Sequence, residues 1–240
     1  PIGFNDLTAA VLTNAVWFKA DWSVPFEDGS TGEFTRGDGT KMSIYMMERI
    51  APMAYRETRD GQAVQLPYGK DGRFTMEVFL PKDMATLRRW ERDLDGLSFN
   101  LATQGSDAKF DLGAAKAQEI LLRLPRFEAR FDDSVKPALI AAGMPCAFND
   151  SCADFGAMAN APLSIDDVAH ATFLRVDEKG TEAAAVTATK IVVTASRRLP
   201  DDLPRMIVDR PFLVTIRDRA SGALIFFGRI ADPTPVEQSQ

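Results

Sequence analysis

Residues 178–205, EKGTEAAAVTATKIVVTASRRLPDDLPR, lie between two strongly strand-like segments and decide how the rest of the chain is read. A connection this long is uncommon inside a folded domain, and is usually functional or disordered. Its composition is wrong for an ordinary solvated loop: Asp, Asn, Ser and Gly are absent from 183–193, and almost no large side chain precedes Ile191. Read with period two, one face carries Thr181, Ala183, Ala185, Thr187, Thr189, Ile191 and Val193. Glu182 and Lys190, the two charges of this stretch, fall on the other face with Ala184, Val186, Ala188 and Val192. The segment is written as a strand whose first face can be buried cheaply. The competing reading is an Ala-rich surface helix or linker.

Strand signals dominate on either side. Residues 9–18, AAVLTNAVWF, are apolar on both alternating faces, which predicts a strand covered on both sides at the centre of a sheet. Residues 63–68 and 73–80 read as strands around the turn GKDG, and 119–131 and 163–176 as two long ones. The last pair, about 206–217 and 223–230, is joined by DRASG, with LIFFGRI expected to be deeply buried. Asp83 can cap a helix carrying Leu87, Trp90 and Leu94 on one face. Asp133 or Ser134 can cap another, with Val135, Leu139 and Ile140 inward and Gly143 ending it. These elements predict an α+β fold of strand-rich, mixed but mainly antiparallel sheets with few helices, and a single domain over 1–240.

Composition excludes several functions. With 28 Lys and Arg against 34 Asp and Glu, the net charge of −6 argues against a nucleic-acid footprint or a polybasic membrane patch. No apolar run reaches the roughly 20 residues that span a bilayer. A single histidine rules out a His-rich metal site, and any catalytic triad would have to run through His170. No G-x-S-x-G motif supplies a nucleophile for it. Cys146 and Cys152, six apart, fit no zinc motif; two free thiols is the favoured reading and a local disulfide the alternative. Neither a metal nor a cofactor is expected, and the chain does not read as an enzyme. His170 shares a strand face with Val168, Leu174 and Val176, so it is expected in the core. Asp209, Arg210 and the DRAS turn read as surface charge.

DEKGTEAAAVTAT at 177–189 resembles the hinge that introduces the reactive-centre loop of the serpin family. LTNAVWFKADW at 12–22 resembles the family's third strand of the large A sheet and the Trp beyond it. LPRFEARFDD at 124–133, GMPCAFNDSCADFGAM at 143–158, VAHATFLRVDEKGTEAA at 168–184 and RPFLVTIRDRASGALIFFGRIADP at 210–233 follow in the family's order. A complete serpin begins with a block of helices and the first A-sheet strands, which do not occur here. The resemblance therefore implies the C-terminal part of a bacterial-type member, with an N-terminal complement of the same protein as a possible partner.

The resemblance also implies a mechanism. A target serine protease attacks the loop at about 178–205, forms an acyl-enzyme, and is trapped when the cleaved loop inserts as a new strand. Glu178, Gly180, Thr181, Glu182, Ala183, Ala184 and Ala185 form the hinge, with Gly180 as pivot because glycine tolerates dihedrals forbidden to other residues. The reactive bond falls fourteen residues after Gly180, at Thr194–Ala195, which suits elastase-like or subtilisin-like proteases. Arg197 and Arg198 are the competing choice and would suit trypsin-like enzymes. Asn14 and His170 pair as a latch where the sheet opens, and Trp22, Arg126 and Glu178 lie where the loop first enters, with Arg126–Glu178 as an ion pair. Secretion to the extracellular space and self-polymerisation are further family expectations. The alternative is a non-inhibitory serpin-like binding or chaperone-type protein, or an inactive fragment.

Overall fold

The computed structural model describes residues 10–93, 112–113, 115–158, 163–181 and 202–233. In chain order they form β1 (Val11–Trp17), β2 (Ala20–Asp21), β3 (Glu27–Thr35), β4 (Lys41–Thr58), β5 (Gly61–Pro67), β6 (Phe74–Pro81) and helix α1 (Met84–Asp93). There follow β7 (Ala117–Pro125), β8 (Phe127–Ser134), helix α2 (Lys136–Ala141), a 3-10 turn at Pro145–Phe148 and β9 (Asp167–Val176). The last strands are β10 (Gly180–Thr181), β11 (Arg205–Ile207), β12 (Phe212–Asp218) and β13 (Leu224–Ile230). The strand-rich α+β class with mixed sheets and few helices is what the sequence predicts. The chain divides into two compact units, Pro1–Phe18 with Ala129–Leu174, and Lys19–Glu128 with Arg175–Gln240.

The second unit holds an eight-stranded sheet in the order β11-β7-β4-β5-β6-β12-β13, with β3 also paired to β4. Two of its inner strands, β6 and β12, are buried on both faces. Val64, Val78 and Val214 are cross-strand partners on one face. Ala63, Phe79 and Leu213 are partners on the other, where Leu87 and Trp90 of α1 and Leu112 close over them. α1 starts where its cap predicts: Asp83 Oδ1 accepts the Thr86 N–H at 2.7 Å.

Several expectations change in this unit. The segment 119–131 falls in two strands, β7 ending at Pro125 and β8 starting at Phe127. The Arg126 N–H between them still donates to the Tyr45 carbonyl of β4 at 3.1 Å. The segment 206–217 is also two strands, parted by a tight turn in which the Asp209 N–H reaches the Ile207 carbonyl at 3.0 Å. LIFFGRI is an edge strand, not a deeply buried one: Phe226 and Ile230 are buried, but Ile225 and Phe227 are 37% and 45% exposed. Asp218 of the DRAS turn is buried, held by two bonds from Arg73 at 3.1 and 3.0 Å. β3 and β4 carry no clear sequence signal. EDGSTGEFT has the composition of a loop, and Pro52 interrupts the eighteen residues of β4. At Gly29, where the β3–β4 register slips, a Cβ would lie 1.7 Å from the Met46 carbonyl oxygen, so only glycine fits.

In the first unit β1 pairs in parallel with β9, from Val11 opposite Asp167 to Trp17 opposite Phe173. The expectation of a central, doubly covered strand is not met among the described residues: β9 is its only partner, and Leu12 and Trp17 are 49% and 64% exposed. α2 buries none of its residues; Leu139 is half-buried and Ile140 exposed, so its apolar side chains are not core. Val135 is its N-cap without a side-chain cap bond, although Ser134 Oγ accepts the Lys136 N–H at 3.2 Å. Gly143, at φ +100°, ends the helix as predicted. Cys146 and Cys152 form a disulfide across a Cα separation of 5.2 Å, correcting the free-thiol reading. The 3-10 turn and the following Asn149 turn fold this short loop back on itself, with the Cys152 N–H donating to the Asn149 carbonyl at 3.1 Å.

Candidate functional site at the hinge

The segment expected to form the hinge begins with a chain reversal immediately after β9. The Asp177 carboxylate accepts the N–H groups of Lys179 and Gly180 at 2.9 and 3.2 Å, a side-chain-closed turn. Gly180 and Thr181 then run as β10, antiparallel to β2 and to the end of β9, with Thr181 opposite both Ala20 and Val176. Gly180 is required here, but not for the reason expected. Its φ lies outside the left-handed region, and a Cβ would sit 2.2 Å from the Ala20 carbonyl oxygen. Close backbone approach, not dihedral freedom, selects glycine at this position.

The turn is clamped from one side by Trp22, which is almost fully buried. Its indole N–H donates to the Asp177 carbonyl at 2.8 Å, and its backbone N–H to the Lys179 carbonyl at 2.7 Å. The Phe26 N–H adds a bond to the Glu178 carbonyl at 2.9 Å. Trp22 stacks on Tyr68 with ring centroids 4.3 Å apart and meets Phe26 edge-on at 5.9 Å. Arg49 lies 4.7 Å over the Phe26 ring, and burial pulls its guanidinium down to about 10.

Arg126 and Glu178 form the ion pair that the resemblance implies. Arg126 Nε donates to Glu178 Oε1 at 2.6 Å, and Nη2 approaches the same oxygen. The guanidinium also lies 4.0 Å over the Tyr45 ring. Both partners are largely buried, so removing either one would leave the other as an uncompensated buried charge.

Thr181 has no solvent exposure, and its hydroxyl shares a 2.6 Å hydrogen bond with the Tyr68 phenol. Burial pushes the Tyr68 phenol up, so it is neutral over the whole physiological range. Tyr68 and Tyr45 carry no motif that singles them out in the sequence. Only the fold places them against the hinge.

In the other unit, Asn14 and His170 are direct register partners on β1 and β9. Asn14 is exposed and His170 half-buried, its ring 5.9 Å from Phe131, so His170 is not the core residue expected. Glu182, Ala183, Ala184, Ala185, Thr194, Ala195, Arg197 and Arg198 lie outside the described residues. The chain re-enters the described structure before β11, where the Leu121 N–H donates to the Pro204 carbonyl and Gln62 Nε2 to the Arg205 carbonyl, both at 2.9 Å. Among the described residues no group of three His, Cys, Asp or Glu side chains could hold a metal ion. No helix among them is long and apolar enough to cross a membrane.

A strand end, a clamped reversal and the buried Thr181 precede the long small-residue segment. The profile of the family described as serpin (serine protease inhibitor) matches residues 1–233, and the chain belongs to that family. It is 34% identical over 235 residues to an uncharacterized serpin-like protein of Thermococcus kodakarensis, covering 96% of this chain and 51% of that protein. It is 35% identical over 235 residues to Serpin B8 of Homo sapiens, covering 95% and 59%. Among solved structures it resembles the thermophilic serpin tengpin in its native state, with a TM-score of 0.76, 27% identity and coverage of 92% and 55%. The fold also matches thyroxine-binding globulin in complex with thyroxine, with a TM-score of 0.78 at 22% identity, covering 98% and 59%. The chain thus spans a little over half the length of these relatives.

Proposed function

We propose that this chain carries the reactive loop and hinge of a suicide-substrate inhibitor of serine proteases. The observation that carries the reading is the state of Thr181: this hinge residue is a ladder residue between β2 and the end of β9, and a run of small residues follows from Ala183. A strand begun there can lengthen by adding backbone hydrogen bonds, and the alternation from Thr181 to Thr189 puts nothing bulky or charged in its way. The protease serine oxygen attacks the Thr194 carbonyl carbon, the Thr194–Ala195 C–N bond breaks, and the departing amine takes a proton from the protease histidine. The ester to Thr194 then travels with the inserting loop. A β-branched residue of this size suits an elastase-like or subtilisin-like specificity pocket, and a bond at Arg197 or Arg198 would suit a trypsin-like one.

The test is to mix the protein with elastase, subtilisin and trypsin, boil in detergent and separate by size. A complex that survives denaturation is the expected result, and the new N-terminus of the released peptide identifies the bond. Clean cleavage without complex would replace this reading with a substrate or a non-inhibitory binding protein.

A further inference from the structure

We propose that Tyr68 is a positioning residue for loop insertion, holding Thr181 in the sheet so that the inserting strand grows from a seated first residue. This rests on the reading of the loop as an inserting strand. Tyr68 closes β5 at the point where three tethers meet. Its N–H donates to the Phe74 carbonyl at 2.9 Å, fixing it to β6, and two further bonds make its isolated bridge with Trp22. The Gly69 N–H donates to the Asp21 carbonyl at 2.8 Å and the Ser23 N–H to the Pro67 carbonyl at 2.9 Å, tying the same turn to the end of β2. The ring is held flat against Trp22, 15° from parallel. The phenol is therefore pre-aimed, and it is aimed at the hinge.

Thr181 supplies the second half of the device. Its side chain is completely buried, and among the described residues its hydroxyl has no hydrogen-bond partner except Tyr68. Leaving the ladder exposes that hydroxyl to water, but staying in the ladder without Tyr68 would leave it buried and unpaired. The phenol thus biases the hinge towards the seated state. Its neutrality means that ordinary changes of pH do not release the latch.

The experiment is Tyr68→Phe in the full protein, alongside Thr181→Val, Thr181→Ser and the Tyr68→Phe/Thr181→Val double variant. Hydrogen exchange at Gly180 and Thr181 is read first. Tyr68→Phe should speed it about tenfold, Thr181→Ser should behave as wild type, and the double variant should exceed Thr181→Val by much less than tenfold. The fraction of protease encounters that end in denaturation-resistant complex, read second, should fall several-fold in Tyr68→Phe with an unchanged first-cleavage rate. Unchanged exchange at the hinge, or fully additive variants, would overturn the latch. An unchanged complex fraction despite faster exchange would overturn its role in insertion. If wild type forms no complex while exchange still responds, the insertion reading fails and the role in insertion fails with it, leaving only the hydrogen bond to the hinge.

Discussion

Thr181 is where a single side chain has most leverage. It is fully buried between β2 and the end of β9, so Thr181→Arg must either bury a guanidinium there or eject the hinge. An unpaired buried charge costs several kcal/mol, so ejection wins. The expected outcome is normal cleavage of the loop with loss of the denaturation-resistant complex, read on a gel against a panel of serine proteases. An undiminished complex would show that Thr181 does not enter the sheet. Thr194 poses a separate question of specificity. Thr194→Arg should raise the rate of trypsin cleavage at the following bond by at least tenfold, measured by sequencing the released N-terminus. Trypsin cutting at Arg197 or Arg198 before and after the change would move the reactive bond there. The pairing of Glu178 with Arg126 was legible from motif resemblance, because both residues stand in recognisable segments. Tyr68 was not: a lone Tyr before GKDG says nothing until β5 delivers it to the hinge.

At the scale of elements, the sequence showed those whose signal is local and hid those that bend. β5, β6 and α1 were legible because their periodicity and the Asp83 cap act locally. β4 was not, because Met46 and Met47 are consecutive and both buried, which destroys alternation, and Pro52 reads as a terminator. The burial of Asp218 was equally hidden, since Arg73 lies 145 residues away. That contact makes a pH prediction. Bonds from Arg73 first, then from the Ala220 N–H and the Ser221 hydroxyl, hold the Asp218 carboxyl well below the usual value of 3.8. A depressed carboxyl contributes stability that is fully present above 3.8 and is lost as pH falls towards its folded value. Asp218→Asn should therefore reduce stability at pH 7 and flatten the loss below pH 3.8, measured by urea unfolding across that range. Equal acid sensitivity in both proteins would assign the acid limb to other carboxylates.

The disulfide makes a second prediction at this scale. Cys146–Cys152 closes a short loop whose Ala147 carbonyl accepts the Ile165 N–H at 2.9 Å, and whose Asp150 accepts the Ser164 hydroxyl. Both bonds anchor the approach to β9. Closing a loop this small restricts the unfolded chain by roughly 2 kcal/mol. Replacing both cysteines with serine should weaken exchange protection at Ile165 while leaving α1 unaffected. Unchanged protection at Ile165 would make the bridge dispensable to β9.

Across the described residues, two strands with a partner on one side only carry a pair of exposed large apolar side chains each. Among the described residues β1 has no partner on its second edge, with Leu12 and Trp17 exposed, and β13 ends the eight-stranded sheet with Ile225 and Phe227 exposed. An open edge carries unpaired backbone N–H and C=O groups, and apolar side chains beside it make pairing with another chain favourable. β1 is the stronger hazard, since residues 11–17 contain no charged side chain and no proline to discourage strand addition. These 240 residues expressed alone are therefore expected to associate at micromolar concentration, seen as high-mass species by light scattering. Thr13→Lys puts a charge on the β1 edge without touching the hinge, and should suppress that association. Ile225→Lys, at the other edge, should do so more weakly. A monomeric parent chain would remove β1 as a free edge. Association that ignores Thr13→Lys but yields to Ile225→Lys would move the sticky edge to β13.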